Sequence, residues 1–94
     1  MKYQKTGRYI YRNIAGEGVL VPVRDGICNL ENMLLLNETS AFLWEKIELV
    51  ENVDAPLVAS WLFDLFEVDK SQALQDASAI LSQLEEEKCL SLQA

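Results

Sequence analysis

Histidine is absent from the 94 residues, which removes the commonest general base and the commonest nitrogen ligand for metals together. A Ser-His-Asp or Cys-His catalytic arrangement is therefore excluded. Cysteine is scarce. Cys28 and Cys89 are far apart and form no C-x-x-C pair. Two separated thiols without histidine cannot complete a structural zinc site within one chain, so neither zinc nor iron is expected, and no other cofactor is. In a reducing compartment both should be free thiols with structural or incidental roles. Cys28 has Ile27 and Asn29 as neighbours rather than the cations that lower a thiol pKa, so it is not expected to act as a nucleophile. Long apolar runs are missing too. No stretch approaches the roughly 20 residues that span a bilayer, and the opening MKYQKTGRYIYR lacks the apolar core of a secretory signal. These absences set the expectation of a cytoplasmic protein without a membrane partner.

The remaining candidate motifs for chemistry are weak. Gly16 and Gly18 occur as A-G-E-G between two strand patterns, with no helix following, so turn glycines explain them better than a phosphate cradle. Asp64, Glu67, Asp69 and Asp76 do not match the spacing of a calcium loop, and capping and solvation account for them. Trp44 and Trp61 lie at helical spacing with leucines and read as core. The protein is expected not to be an enzyme.

Half of the residues are apolar, enough for one small domain with a single core. The net charge of −7 is unevenly spread. Residues 1–24 carry Lys2, Lys5, Arg8, Arg12 and Arg24 against Glu17 alone, a net +4 that leaves −11 for the rest. So acidic a body repels phosphate backbones, and no nucleic-acid partner is expected.

Residues 1–8 are polar and basic and are expected to form a flexible amino-terminal arm, with the domain covering 9–94. Tyr9 to Ile14 is rich in β-formers. The turn-like Ala15-Gly16 leads into EGVLVPV, whose valines alternate with period two, giving a hairpin. Pro22 cannot donate to a ladder and should lie near an unpaired side or a strand end. Asp25-Gly26 signals another turn, and the run Leu30 to Leu36 predicts a third strand with mostly apolar residues on both faces.

Three helices follow. Asn37 is a good N-cap, Glu38 suits the positive helix terminus, and Leu43, Trp44 and Ile47 share a face. Asp54 caps a second helix with Pro56 in its first turn. Asp69 caps a third, with Gln72 as a variant capping box and Ala73, Ala77, Ile80, Leu81 and Leu84 at helical spacing. The acidic Glu85 to Glu87 is unfavourable at a helix C-terminus, so that end should fray or be offset by Lys88. The tail CLSLQA, alternating Leu90, Leu92 and Ala94 with polar neighbours, fits a short closing strand or a tail that packs its leucines. Strands followed by helices predict an α+β fold, a three-stranded antiparallel sheet and then three helices.

Taken together, IAGEGVLVPV, LLLNETSAFLW and DASAILSQLEEEKCLSL resemble the PqqD-like family of peptide-binding domains, the recognition elements for precursors of ribosomally made, modified peptides. The resemblance runs from about Tyr9 to Leu92. It implies a winged-helix-like fold and a non-catalytic peptide chaperone that binds a precursor leader and presents it to a modifying enzyme, often a radical SAM protein. In that family the leader adds a strand to the exposed edge of strand three, here Leu30, Glu31, Asn32, Met33, Leu34 and Leu35. It then lies against helix three, here Asp76, Ile80 and Gln83. The physical logic is strand addition, in which main-chain hydrogen bonds supply affinity and side-chain pockets supply register. Members that serve pyrroloquinoline quinone synthesis carry an L-A-P-E-like run at the strand-to-helix join. This chain has LNETSAFLW there, and so resembles the broader family.

Two other readings stay open. A winged-helix transcription regulator would place a basic recognition helix in the major groove, but helix two has no Lys or Arg between Asp54 and Asp69, and helix three has only Lys70 before Lys88. An oligomerisation module, with strand edges paired between identical copies in a homodimer, would use the same exposed edge.

Overall fold

The computed structural model describes residues 1–93. Its elements are β1 (Lys2–Lys5), β2 (Tyr9–Ile14), β3 (Glu17–Arg24), β4 (Ile27–Cys28), β5 (Leu34–Leu35), α1 (Glu38–Ile47), α2 (Ala55–Leu65), α3 (Lys70–Glu86) and β6 (Leu90–Gln93), with a single 3-10 turn at Leu30–Asn32. The fold is α+β. Instead of one three-stranded sheet there are two antiparallel sheets, one of β2, β3, β4 and β5 and a separate ribbon of β1 and β6.

The hairpin turns are as local chemistry dictates. Ala15-Gly16 and Asp25-Gly26 all have positive φ, 54° and 85° and then 53° and 78°, the backbone twist that joins antiparallel strands through a two-residue loop. Pro22 sits opposite Tyr9 near the end of β3.

The helix starts follow the caps. Asn37 Oδ1 accepts the Ser40 N–H at 2.8 Å, Asp54 Oδ1 that of Leu57 at 3.0 Å and Asp69 Oδ1 that of Gln72 at 2.7 Å, each satisfying a donor that the first helical turn leaves free. The Gln72 side chain does not close a capping box. It donates to Asp76 Oδ1 at 2.9 Å instead. The acidic end of α3 does not fray. Lys88 adopts φ 65°, the Cys89 N–H bonds the Leu84 carbonyl, and the Lys88 N–H bonds that of Glu85, both at 2.9 Å, which is a Schellman closure.

Two further sequence expectations need correction. The first eight residues are not a free arm, because Lys2–Lys5 pair with Leu90–Gln93. Tyr3 is 8 % exposed and exchanges hydrogen bonds with Val53 in both directions, at 2.7 and 2.9 Å. Lys5 Nζ donates to the carbonyls of Ile47, Glu48 and Val50 at 3.1–3.3 Å, placing a cation at the negative end of α1. Of the two readings of the tail, the closing strand holds, as β6; Ala94 lies outside the described residues.

The second correction concerns Leu30–Leu36. Asn29 takes its side chain out of the strand to accept the Glu31 N–H at 3.0 Å, a local bond that competes with ladder pairing. Leu30, Glu31 and Asn32 consequently form the 3-10 turn, and strand geometry resumes only at Leu34–Leu35.

Leu20, Leu43, Ile47, Val58, Leu81 and Leu90 are almost fully buried and form the core between β3, the three helices and β6. The buried Trp44 keeps its indole N–H satisfied through Glu48 Oε1 at 2.9 Å. Cys89 is buried and Cys28 exposed. Burial, with the Glu87 carboxylate adding to it, pushes the Cys89 thiol from 9.0 up to about 12. Iodoacetamide at pH 8 should therefore label Cys28 and leave Cys89 untouched until the chain is unfolded, as peptide mass mapping would report. Equal labelling of both would contradict this burial. Because the folded chain holds its thiol proton longer than the unfolded one, this contribution to stability is complete below about pH 9 and is lost as pH climbs toward 12.

Candidate functional site

β5 pairs with β3 on one side only among the described residues. The Leu36 N–H bonds the Gly18 carbonyl at 2.9 Å, and Leu35 lies opposite Val19. Inward and outward groups alternate along an antiparallel strand, so the N–H and C=O of Leu35 face the open edge. An unpaired strand edge is a template for another strand.

Beside this edge runs a groove of about 170 Å³. Leu34, Leu35 and Leu36 form one wall, Asn37 and Ser40 at the start of α1 the end, and Ile80, Gln83, Leu84 and Glu87 of α3 the other wall. The helical step from Ile80 through Gln83 and Leu84 to Glu87 places four side chains on one face. The groove is below the roughly 300–1,000 Å³ of small-molecule pockets. It suits a side chain of an extended peptide better than a cofactor.

Of the residues singled out by sequence, Leu34, Leu35, Ile80 and Gln83 are brought together here. Asp76 is not among them. It lies in an adjoining depression with Leu62, Phe66 and Val68, joined to the groove through the shared Ile80. Leu30, Glu31 and Asn32 are in the 3-10 turn and Met33 is its C-cap, so these four do not extend the strand edge. Leu30 and Met33 belong instead to an apolar margin, with Ile27 72 %, Leu30 63 %, Met33 40 % and Leu35 68 % exposed.

Leu36, Asn37, Ser40, Leu84 and Glu87 were not anticipated. Leu84 and Glu87 were reachable, being one and two helical steps beyond Ile80. Asn37 and Ser40 serve the cap of α1, and nothing local in the sequence marks them as lining a groove. No group of three or more His, Cys, Asp or Glu suited to a metal ion occurs among the described residues, and no helix among them is long and apolar enough to cross a membrane.

A family model described as coenzyme PQQ synthesis protein D (PqqD) matches residues 17–90. No curated protein sequence matches the chain. A solved structure described as lasso peptide synthetase B1 complexed with the leader peptide superposes with a TM-score of 0.72 at 20 % sequence identity, covering 96 % of this chain and 98 % of that one. At that identity the likeness is one of fold.

Proposed function

The chain belongs to the PqqD family, and from that premise we propose that it is a non-catalytic peptide chaperone that binds the leader of a ribosomally made precursor and presents it to a modifying enzyme, such as a radical SAM protein. The observation that carries this reading is the open edge at Leu35 beside the groove between β5 and α3. A leader would add a strand at Leu35 and set alternate side chains against Leu34, Ile80 and Leu84. Main-chain bonds would give affinity with little sequence demand, and the groove would select register. The fold shared with a synthetase component complexed with its leader peptide supports the same reading.

Adding a leader peptide that the protein binds to isotope-labelled protein should shift the amide resonances of residues 33–36 and of Ile80, Gln83 and Glu87. Shifts confined to α2, with β5 silent, would overturn strand addition even if the peptide bound. A change in oligomeric state at the same edge, without peptide contact, would favour a homodimer module.

A further inference from the structure

Three cations converge on a second concavity, although the protein carries a net −7. Arg8 follows β1, Arg24 ends β3 and Lys88 follows α3, and with Tyr9, Pro22 and Val23 they line a cleft of about 540 Å³ whose lining includes no carboxylate among the described residues. All three are exposed, and none of their charged groups has a hydrogen-bond partner among the described residues. Of the other cations, Lys5 is engaged at the end of α1, Arg12 by the Tyr11 carbonyl, Lys46 over the Phe42 ring and Lys70 over the Phe63 ring, whereas Lys2 has no such partner among the described residues. Lys88 also sits at φ 65°, where glycine would be unstrained and a side chain costs about 1 kcal/mol. A cation kept at a strained position points to a use for its charge.

The cleft adjoins the leader groove. Glu87 lines the groove, its carbonyl accepts the Tyr9 hydroxyl at 3.0 Å, and Tyr9 lines the cleft. We propose that this cleft is an anion subsite for the same peptide, so that the preferred leader carries a cluster of Asp or Glu on the flank that passes the C-terminal end of α3. The inference rests on the leader-binding reading above and adds the charge class of the substrate. A peptide antiparallel to β5 runs in the direction of β3 and brings its C-terminal flank toward Arg24. Parallel addition would bring the N-terminal flank there.

The test is selection of random displayed peptides on the full chain and on the variant Arg8→Gln, Arg24→Gln, Lys88→Gln, whose fold is checked by circular dichroism. Wild type should enrich an apolar run with acidic residues on one flank, and the variant should enrich the apolar run alone. Wild-type binders should bind the variant about tenfold more weakly at low salt, a difference that high salt removes. Apolar binders without acidic enrichment would overturn the subsite and leave the leader-binding reading standing. No enrichment would overturn both. Tetraglutamate titrated into labelled protein should shift Arg8, Tyr9, Arg24 and Lys88 without the groove, and silence at those four residues would independently overturn the subsite.

Discussion

Replacing Gly18 by alanine is expected to lower the thermal midpoint by roughly 5–20 °C, from an overpacking cost of about 1–3 kcal/mol and a shift of about 4–8 °C per kcal/mol for a domain of this size. A β-carbon at this position would lie 2.7 Å from the Ala41 Cβ and 2.9 Å from the Tyr11 hydroxyl. Ala41 is anchored directly on α1 and cannot swing aside. Tyr11 can, but only by breaking its bond to Glu45 Oε2 at 2.9 Å. The close approach of β3 to α1 thus depends on the missing side chain, and the same approach sets where Asn37 and Ser40 meet the groove. Valine should be worse, leaving little of a total stability of roughly 5–15 kcal/mol. Melting followed by circular dichroism would check this, and an alanine variant within about 2 °C of wild type would refute the packing argument.

Leu35→Pro should reduce affinity for the precursor peptide at least tenfold, a loss of about 1.4 kcal/mol or more, while leaving the melt near that of wild type. Proline removes the outward N–H and sets its ring at the open edge, and the Leu34 backbone before it is already extended. Leu36→Pro is the control. Its N–H bonds Gly18 at 2.9 Å, so the same substitution one residue later should damage the sheet itself. Isothermal titration and thermal melts distinguish the two. Unchanged binding by a folded Leu35→Pro protein would remove main-chain pairing from the mechanism.

The parts legible in the sequence were those with local causes. Asn37, Asp54 and Asp69 each bond an N–H three residues on, so the cap and its target are read in one window. Ala15-Gly16 and Asp25-Gly26 carry their turn geometry in their own backbone preferences. The first strand was missed because its partners, Leu90–Gln93 and Val53, are distant in sequence. Lys5 was placed in a flexible arm because its three carbonyl acceptors lie more than forty residues away. The leucines at 34–36 hid the break before them, although Asn29, able to bond its own backbone two residues on, was the available signal. Of the site, the wall on α3 followed from helical spacing. The cleft of Arg8, Arg24 and Lys88 did not, since three separate parts of the chain contribute to it.

The ribbon of β1 and β6 has a mechanical consequence. Lys2 and Gln93 are partners at one end of the ladder, and Lys5 and Leu90 at the other. A pull separating Lys2 from Gln93 acts along the inter-strand hydrogen bonds rather than across them, so it loads one pair at a time. The ribbon therefore yields like a zipper under tension, without the resistance of strands sheared in parallel, and Tyr3, held also by Val53, is the first point at which the force reaches the core.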